Sequence, residues 1–165
     1  MLNERGTSMK RALCLVLILC LLPACGFADG LAELLDRFAV ASGVCGAPEL
    51  PDESNRIDNG SYCMIEYRIS DKLISGFMEK DGEISGGYAV CLDPSLQGDF
   101  LALCASHALT VCGVSEGLDA YTFILDNFLD ARQGKETEET ITGNMIFSIF
   151  AMKTGLAFNY SIIGN

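Results

Sequence analysis

Residues 62–92 read YCMIEYRISDKLISGFMEKDGEISGGYAVCL, and this stretch decides the fold. In its first nine residues Cys63, Ile65, Tyr67 and Ile69 alternate with Tyr62, Met64, Glu66 and Arg68. That is the period of two expected of a strand with one face buried. Ser70-Asp71-Lys72 predicts a turn and residues 73–79 a second strand. Lys80-Asp81-Gly82-Glu83 predicts a tight hairpin, because Asp and Gly both tolerate the positive φ that such turns demand. Residues 84–92 predict a third strand, with Gly86-Gly87 marking a bulge. Connections this short join antiparallel neighbours, so the sheet is expected to be mainly antiparallel.

Helices are expected on either side of this meander. Upstream, Leu31, Leu34, Leu35 and Phe38 recur at helical spacing over 31–42, with Asp29 as the expected cap and Gly43 as the stop. Residues 44–60 are polar and hold Pro48 and Pro51, which predicts a loop. Downstream, Asp93-Pro94-Ser95 opens a helix over about 96–112 that is apolar around most of its circumference and therefore mostly buried. A further helix is expected over 115–132, with Leu118, Tyr121, Leu125, Phe128 and Leu129 facing inward. After a charged loop at 133–139, residues 145–152 and 156–163 predict a final hairpin. The expected order is α-βββ-αα-ββ. It implies a two-layer α+β fold, with a mainly antiparallel sheet of about five strands and helices on one face.

The N-terminus carries a different signal. Lys10 and Arg11 precede an uncharged apolar run from Ala12 to Leu22, too short for a membrane span that needs ~20 residues, but suited to the apolar segment of a signal peptide. Met9 stands directly before the basic pair and is an alternative start of translation. Leu22-Pro23-Ala24-Cys25-Gly26 resembles the lipobox of bacterial lipoprotein precursors. The resemblance covers residues 10–26 only. It implies that Cys25 receives a diacylglycerol thioether and becomes the first residue of the mature chain. Pro23 departs from the small or polar residue usual at its position. Gly26 and Ala28 offer a second cleavage pattern, after Ala28, which yields a secreted protein without lipid. The expected organisation is a signal peptide at 1–24, a tether at 25–29 and one domain at 30–165.

Charge narrows the partners. Without residues 1–24 the chain keeps eight Lys and Arg against 21 Asp and Glu, a formal charge of −13. Nucleic acid is disfavoured as a ligand, because its binding depends on clustered cations, and so is a polybasic grip on anionic lipid. Cys14 and Cys20 leave with the leader and Cys25 is taken up by lipid. Cys45, Cys63, Cys91, Cys104 and Cys112 remain, an odd number, so at least one stays free or bonds to another chain.

Candidate chemistry is sparse. Cys104-Ala105-Ser106-His107 brings a thiol and the sole histidine onto one stretch of helix, the spacing of half a metal site or of a nucleophile with its base. A core histidine with one hydrogen bond is the simpler reading, since the helix holds no acid after Asp99 to orient the ring. Asp52-Glu53 and Glu136-Thr137-Glu138-Glu139 lack the spacing of a calcium loop. Asp119, Asp126 and Asp130 read as a wet helix face. No nucleophile elbow, phosphate loop or dinucleotide fingerprint occurs, and no cofactor is implied.

Three classes of function remain. One is a tethered binding module for a protein, peptide or small ligand, or a homodimer. The others are a small exported enzyme without a recognisable motif, and an inhibitory or structural protein acting through its sheet. The lack of a catalytic set favours the first. Binding is expected through the strand face that carries Tyr62, Met64 and Ile146, where aromatic, Met and aliphatic side chains stand near solvent.

The leader makes a direct prediction. Intact mass of the mature chain should show acylation at Cys25, and Cys25→Ser should accumulate as uncleaved precursor; an unmodified N-terminus at Asp29 would establish simple secretion instead.

Overall fold

The computed structural model describes residues 30–163, so the leader, the tether with Cys25 and the Asp29 cap lie outside the described residues. Helix α1 (Leu31–Cys45) begins after Gly30 and ends at Gly46, whose φ of 68° lies in the left-handed region that glycine tolerates. Gly43 does not stop this helix but lies within it. Four antiparallel strands follow: β1 (Asn55–Asp58), β2 (Cys63–Ser70), β3 (Leu73–Lys80) and β4 (Glu83–Cys91). A short 3-10 turn at Pro94–Leu96 leads into α2 (Gln97–Arg132). The chain closes with β5 (Thr140–Thr142), β6 (Met145–Met152) and β7 (Gly155–Ile162). All seven strands form one sheet in the order β1-β2-β3-β4-β7-β6-β5, and every pairing is antiparallel.

The fold class is thus α+β with one antiparallel sheet, but the strand count, the element order and the inward face of the last helical stretch need correction. The sheet has seven strands, not about five. β1 lies within the stretch expected to be loop, and β5 lies between the expected loop at 133–139 and the expected strand at 145–152; neither carries an apolar alternation, and each is a short edge held by the backbone of its neighbour. The two helices expected over 96–112 and 115–132 are present as the two arms of α2, joined at Gly113, whose φ of 72° and ψ of −171° are not helical. The order is therefore α-ββββ-α-βββ. Gly113 also resets the phase of the second arm. Ala120, Ile124, Phe128 and Ala131 face the core, while Leu118, Leu125 and Leu129, expected inward, are 53%, 40% and 57% exposed.

The hairpin turn follows its sequence. Asp81 and Gly82 take φ of 54° and 85°, the mirror-image turn that suits the twist of the flanking strands. The expected bulge lies one residue earlier than Gly86: Met78 pairs with Gly86 but Glu79 pairs with Ile84, leaving Ser85 as the extra residue. Asp93 opens the helical segment, accepting a hydrogen bond from the Ser95 amide at 2.8 Å.

The core lies between the helices and one face of the sheet. Ile65 of β2, Phe77 of β3, Ala89 of β4, Phe158 and Tyr160 of β7, and Phe147 and Ile149 of β6 point into it. From α2 come Phe100, Leu103, Cys104, Ala108 and Ile124, and from α1 Leu34 and Phe38. An 18-residue window of the Pro94–Arg132 segment is long and apolar enough to cross a membrane, but 56% of it is buried inside the domain, as a core helix requires. Gly117 lets the second arm lie close to the first: a Cβ there would stand 3.0 Å from the Ala108 carbonyl oxygen.

Two glycine substitutions separate space from conformation. A Cβ at Gly155 would lie 2.1 Å from the backbone oxygen of Cys91, whereas one at Gly43, inside α1, would meet nothing within 4 Å. Gly155→Ala should cost about 2 kcal/mol or more by forcing β7 away from the end of β4, while Gly43→Ala should add ~0.5–1 kcal/mol of stability. Chemical denaturation of the two variants checks both signs.

Candidate interaction face

Residues directly paired across antiparallel strands point to the same side of a sheet, so the registers give the composition of each face. On the side away from the helices one row runs Ile57, Met64, Met78, Gly86, Ser161, Ile146, Ile141. The next is Glu66, Gly76, Tyr88, Asn159, Ser148. A third is Arg68, Ile74, Val90, Ala157, Phe150. The inner side is settled by Ser75, whose hydroxyl meets His107 of α2, and by Phe77, which packs against Phe38 of α1. Both helices therefore lie on one face, and among the described residues no helix covers the other.

The open face is smoothed by glycine. A Cβ at Gly76 would stand 2.5 Å from the Tyr88 ring, and one at Gly86 would stand 2.6 Å from the Met78 methyl. Each glycine lets the large side chain of its cross-strand partner lie flat over the next strand. The same device works on the inner face, where Tyr160 lies over Gly87. The middle row is polar. Arg68 donates to Glu66 at 2.8 Å, and the Ser148 hydroxyl donates to the Asn159 side-chain oxygen. The Tyr88 hydroxyl is buried without a partner among the described residues. Burial, with Glu66 adding and Arg68 opposing, pushes its pKa up to about 12.

Met64 and Ile146 stand in the first row, both partly buried. Tyr62 is 36% exposed and precedes β2, in a turn where the Asn59 side chain accepts from the amides of Ser61 and Tyr62. Sequence reasoning missed Ile57 and Ile141, which extend the apolar row to both edges of the sheet; their strands are too short for periodicity to reveal. Ile141 is 66% exposed, Ile57 40% and Phe150 39%.

The Cys104–His107 pair does not form a site open to solvent. Both residues are fully buried. His107 Nε2 lies 2.9 Å from Ser75 Oγ. The rings of Phe38, Phe77, Tyr160 and Phe158 stand 4.8–6.0 Å from the imidazole. Burial lowers its pKa to about 3, opposed only weakly by the Tyr88 carbonyl. Burial drives the Cys104 thiol well above its ordinary value, and that of Cys112 to about 12 with Glu116 adding. All five cysteines among the described residues are free. Asp119 and Asp126 are exposed, and Asp130 pairs with Lys135 at 2.7 Å. No three His, Cys, Asp or Glu side chains gather around a possible metal among the described residues. Comparison with protein-family models, with curated proteins and with solved structures finds no match to this chain.

The buried imidazole sets a pH dependence. An unfolded histidine protonates near pH 6.5, whereas folded His107 stays neutral down to about 3. The contribution is intact above pH 6.5, and stability falls as pH drops through that window, by about 1.4 kcal/mol per pH unit once below the unfolded value. His107→Leu should remove this slope between pH 6 and 4, as read from denaturation midpoints; an unchanged slope would assign it to other groups.

Proposed function

We propose that this chain is an exported, non-enzymatic interaction module, tethered at the outer face of a membrane through a lipid on Cys25, which binds a protein or peptide by its open sheet face. The observation that carries this reading is the apolar row from Ile57 through Met64, Met78 and Ile146 to Ile141, on the face opposite both helices. Seven strands at a spacing of about 4.8 Å give a face on the order of 600–800 Å², close to the ~800 Å² that each partner contributes to a stable complex. Charge supports the choice of this surface. Glu66 and Arg68 neutralise each other on β2, next to its edge strand, whereas the chain without residues 1–24 carries −13. A partner can thus meet the face without being strongly basic. The edges are less suited to pairing, since β1 has four residues and β5 three, and short edge strands resist the addition of another strand.

The combined substitution Tyr62→Asp, Met64→Asp and Ile146→Asp tests the proposal. In-cell cross-linking should capture a partner, or a second copy, with the native chain and lose it with the variant, while the circular dichroism spectrum and melting profile stay native-like. Should the triple variant unfold, Ile141→Asp on the exposed edge strand takes its place. Unchanged cross-linking with the fold intact would sink the reading.

A further inference from the structure

A second feature lies on the helical side of the sheet, independent of the open face. α1 leans chiefly on α2 and reaches the sheet through Phe38, whose ring meets Phe77 edge-on at 5.5 Å. This leaves a gap between α1 and β2, closed on the outside by the loop after Gly46. The gap is a cavity of about 610 Å³, within the range that holds small organic ligands. Leu35, Phe38, Leu50 and Tyr67 make its apolar walls. Ser42 lies on the same helical stripe, one turn beyond Phe38, and lines the cavity. It is 4% exposed, and its hydroxyl has no hydrogen-bond partner among the described residues. A helical serine ordinarily returns its proton to the carbonyl one turn back, as Ser106 does to Ala102 at 2.7 Å. A buried hydroxyl left unpaired on a cavity wall marks a place for a ligand's polar atom. Besides Ser42 and Tyr67, the polar side chains of the wall are the exposed carboxylates of Glu49 and Asp52, and among the described residues no Lys, Arg or His lines it.

We propose that this cavity binds a small amphiphilic amine. The apolar chain lies between Leu35, Phe38, Leu50 and Tyr67, and the ammonium donates to the Ser42 hydroxyl on the side that faces the carboxylates of Glu49 and Asp52. Anionic amphiphiles are disfavoured, because the mouth presents two like charges in Glu49 and Asp52. A neutral alcohol of the same length gains the apolar burial without the charge contact and binds with intermediate affinity.

Calorimetric titration of the full-length chain with decylamine, decanol and decanoate, each below its micellar concentration, tests the assignment. Decylamine should saturate at one site, about tenfold tighter than decanol, with decanoate weaker still. Ser42→Ala should weaken decylamine about fivefold. The pair Glu49→Gln and Asp52→Asn should bring decylamine to the level of decanol while leaving decanol unchanged. Gly43→Leu, at an open helical position on the cavity wall, should abolish binding of both, with Ala39→Trp as an independent second block. Amide chemical shifts should move in α1 and at 46–52. Absence of saturable decylamine binding, equal binding of decanoate, or binding untouched by both blocking variants would overturn the proposal.

Discussion

Both helices must pack on the same side of one continuous sheet, and the rest of the molecule depends on that constraint. Its centre is the first arm of α2, laid against the inner face with His107 inserted among Phe38, Phe77, Phe158 and Tyr160 and bonded to Ser75. A neutral imidazole in such surroundings supplies aromatic packing together with a polar atom whose partner lies on the opposite layer. The bond sets α2 in register over β3, while the aromatic ring around it excludes water. The second arm, re-phased at Gly113, extends the cover towards β5 and β6 with Ala120, Ile124, Phe128 and Ala131. Among the described residues no helix lies on the opposite face, which is made by the side chains that the strands themselves supply.

That face is neither an ordinary wet surface nor a second core. Its outer rows are mainly aliphatic, Met and Phe, interrupted by Ser161 and Arg68, and its middle row is polar, with Glu66 held by Arg68 and Ser148 by Asn159. The glycines at 76 and 86 allow Tyr88 and Met78 to lie along the sheet, making a low surface of the kind that suits contact with another macromolecule. The most buried thiols are shielded by the same packing. Cys91 and Cys104 are buried, and burial raises the pKa of both, so neither presents a reactive thiolate.

Local chemistry made much of this legible. The alternation in 62–70, the Asp81-Gly82 hairpin and the Asp93-Pro94-Ser95 helix opening each rest on backbone preferences within a few residues, and the structure has them nearly where the sequence places them. The faces of β2 follow for the same reason, since alternation does not depend on what covers the strand. β1 and β5 were not legible, because three or four residues without apolar alternation become strands only when a neighbour offers its backbone.

The sequence by itself determined the antiparallel meander, the presence of a helix before and after it, and the side of β2 on which Met64 stands. Only tertiary structure decided which face the helices cover, how far the apolar row extends, and that α1 stands off β2 far enough to leave a cavity beside Ser42. It also decided which leucines of α2 meet water: Leu118, Leu125 and Leu129 form a helical stripe as regular as that of the buried residues. The bend at Gly113, together with close packing against Leu109 at Gly117, chooses between the two stripes. Periodicity records that a helix has an apolar side; the direction of that side is set by contacts between residues far apart in the chain, and the pattern along the chain does not contain them.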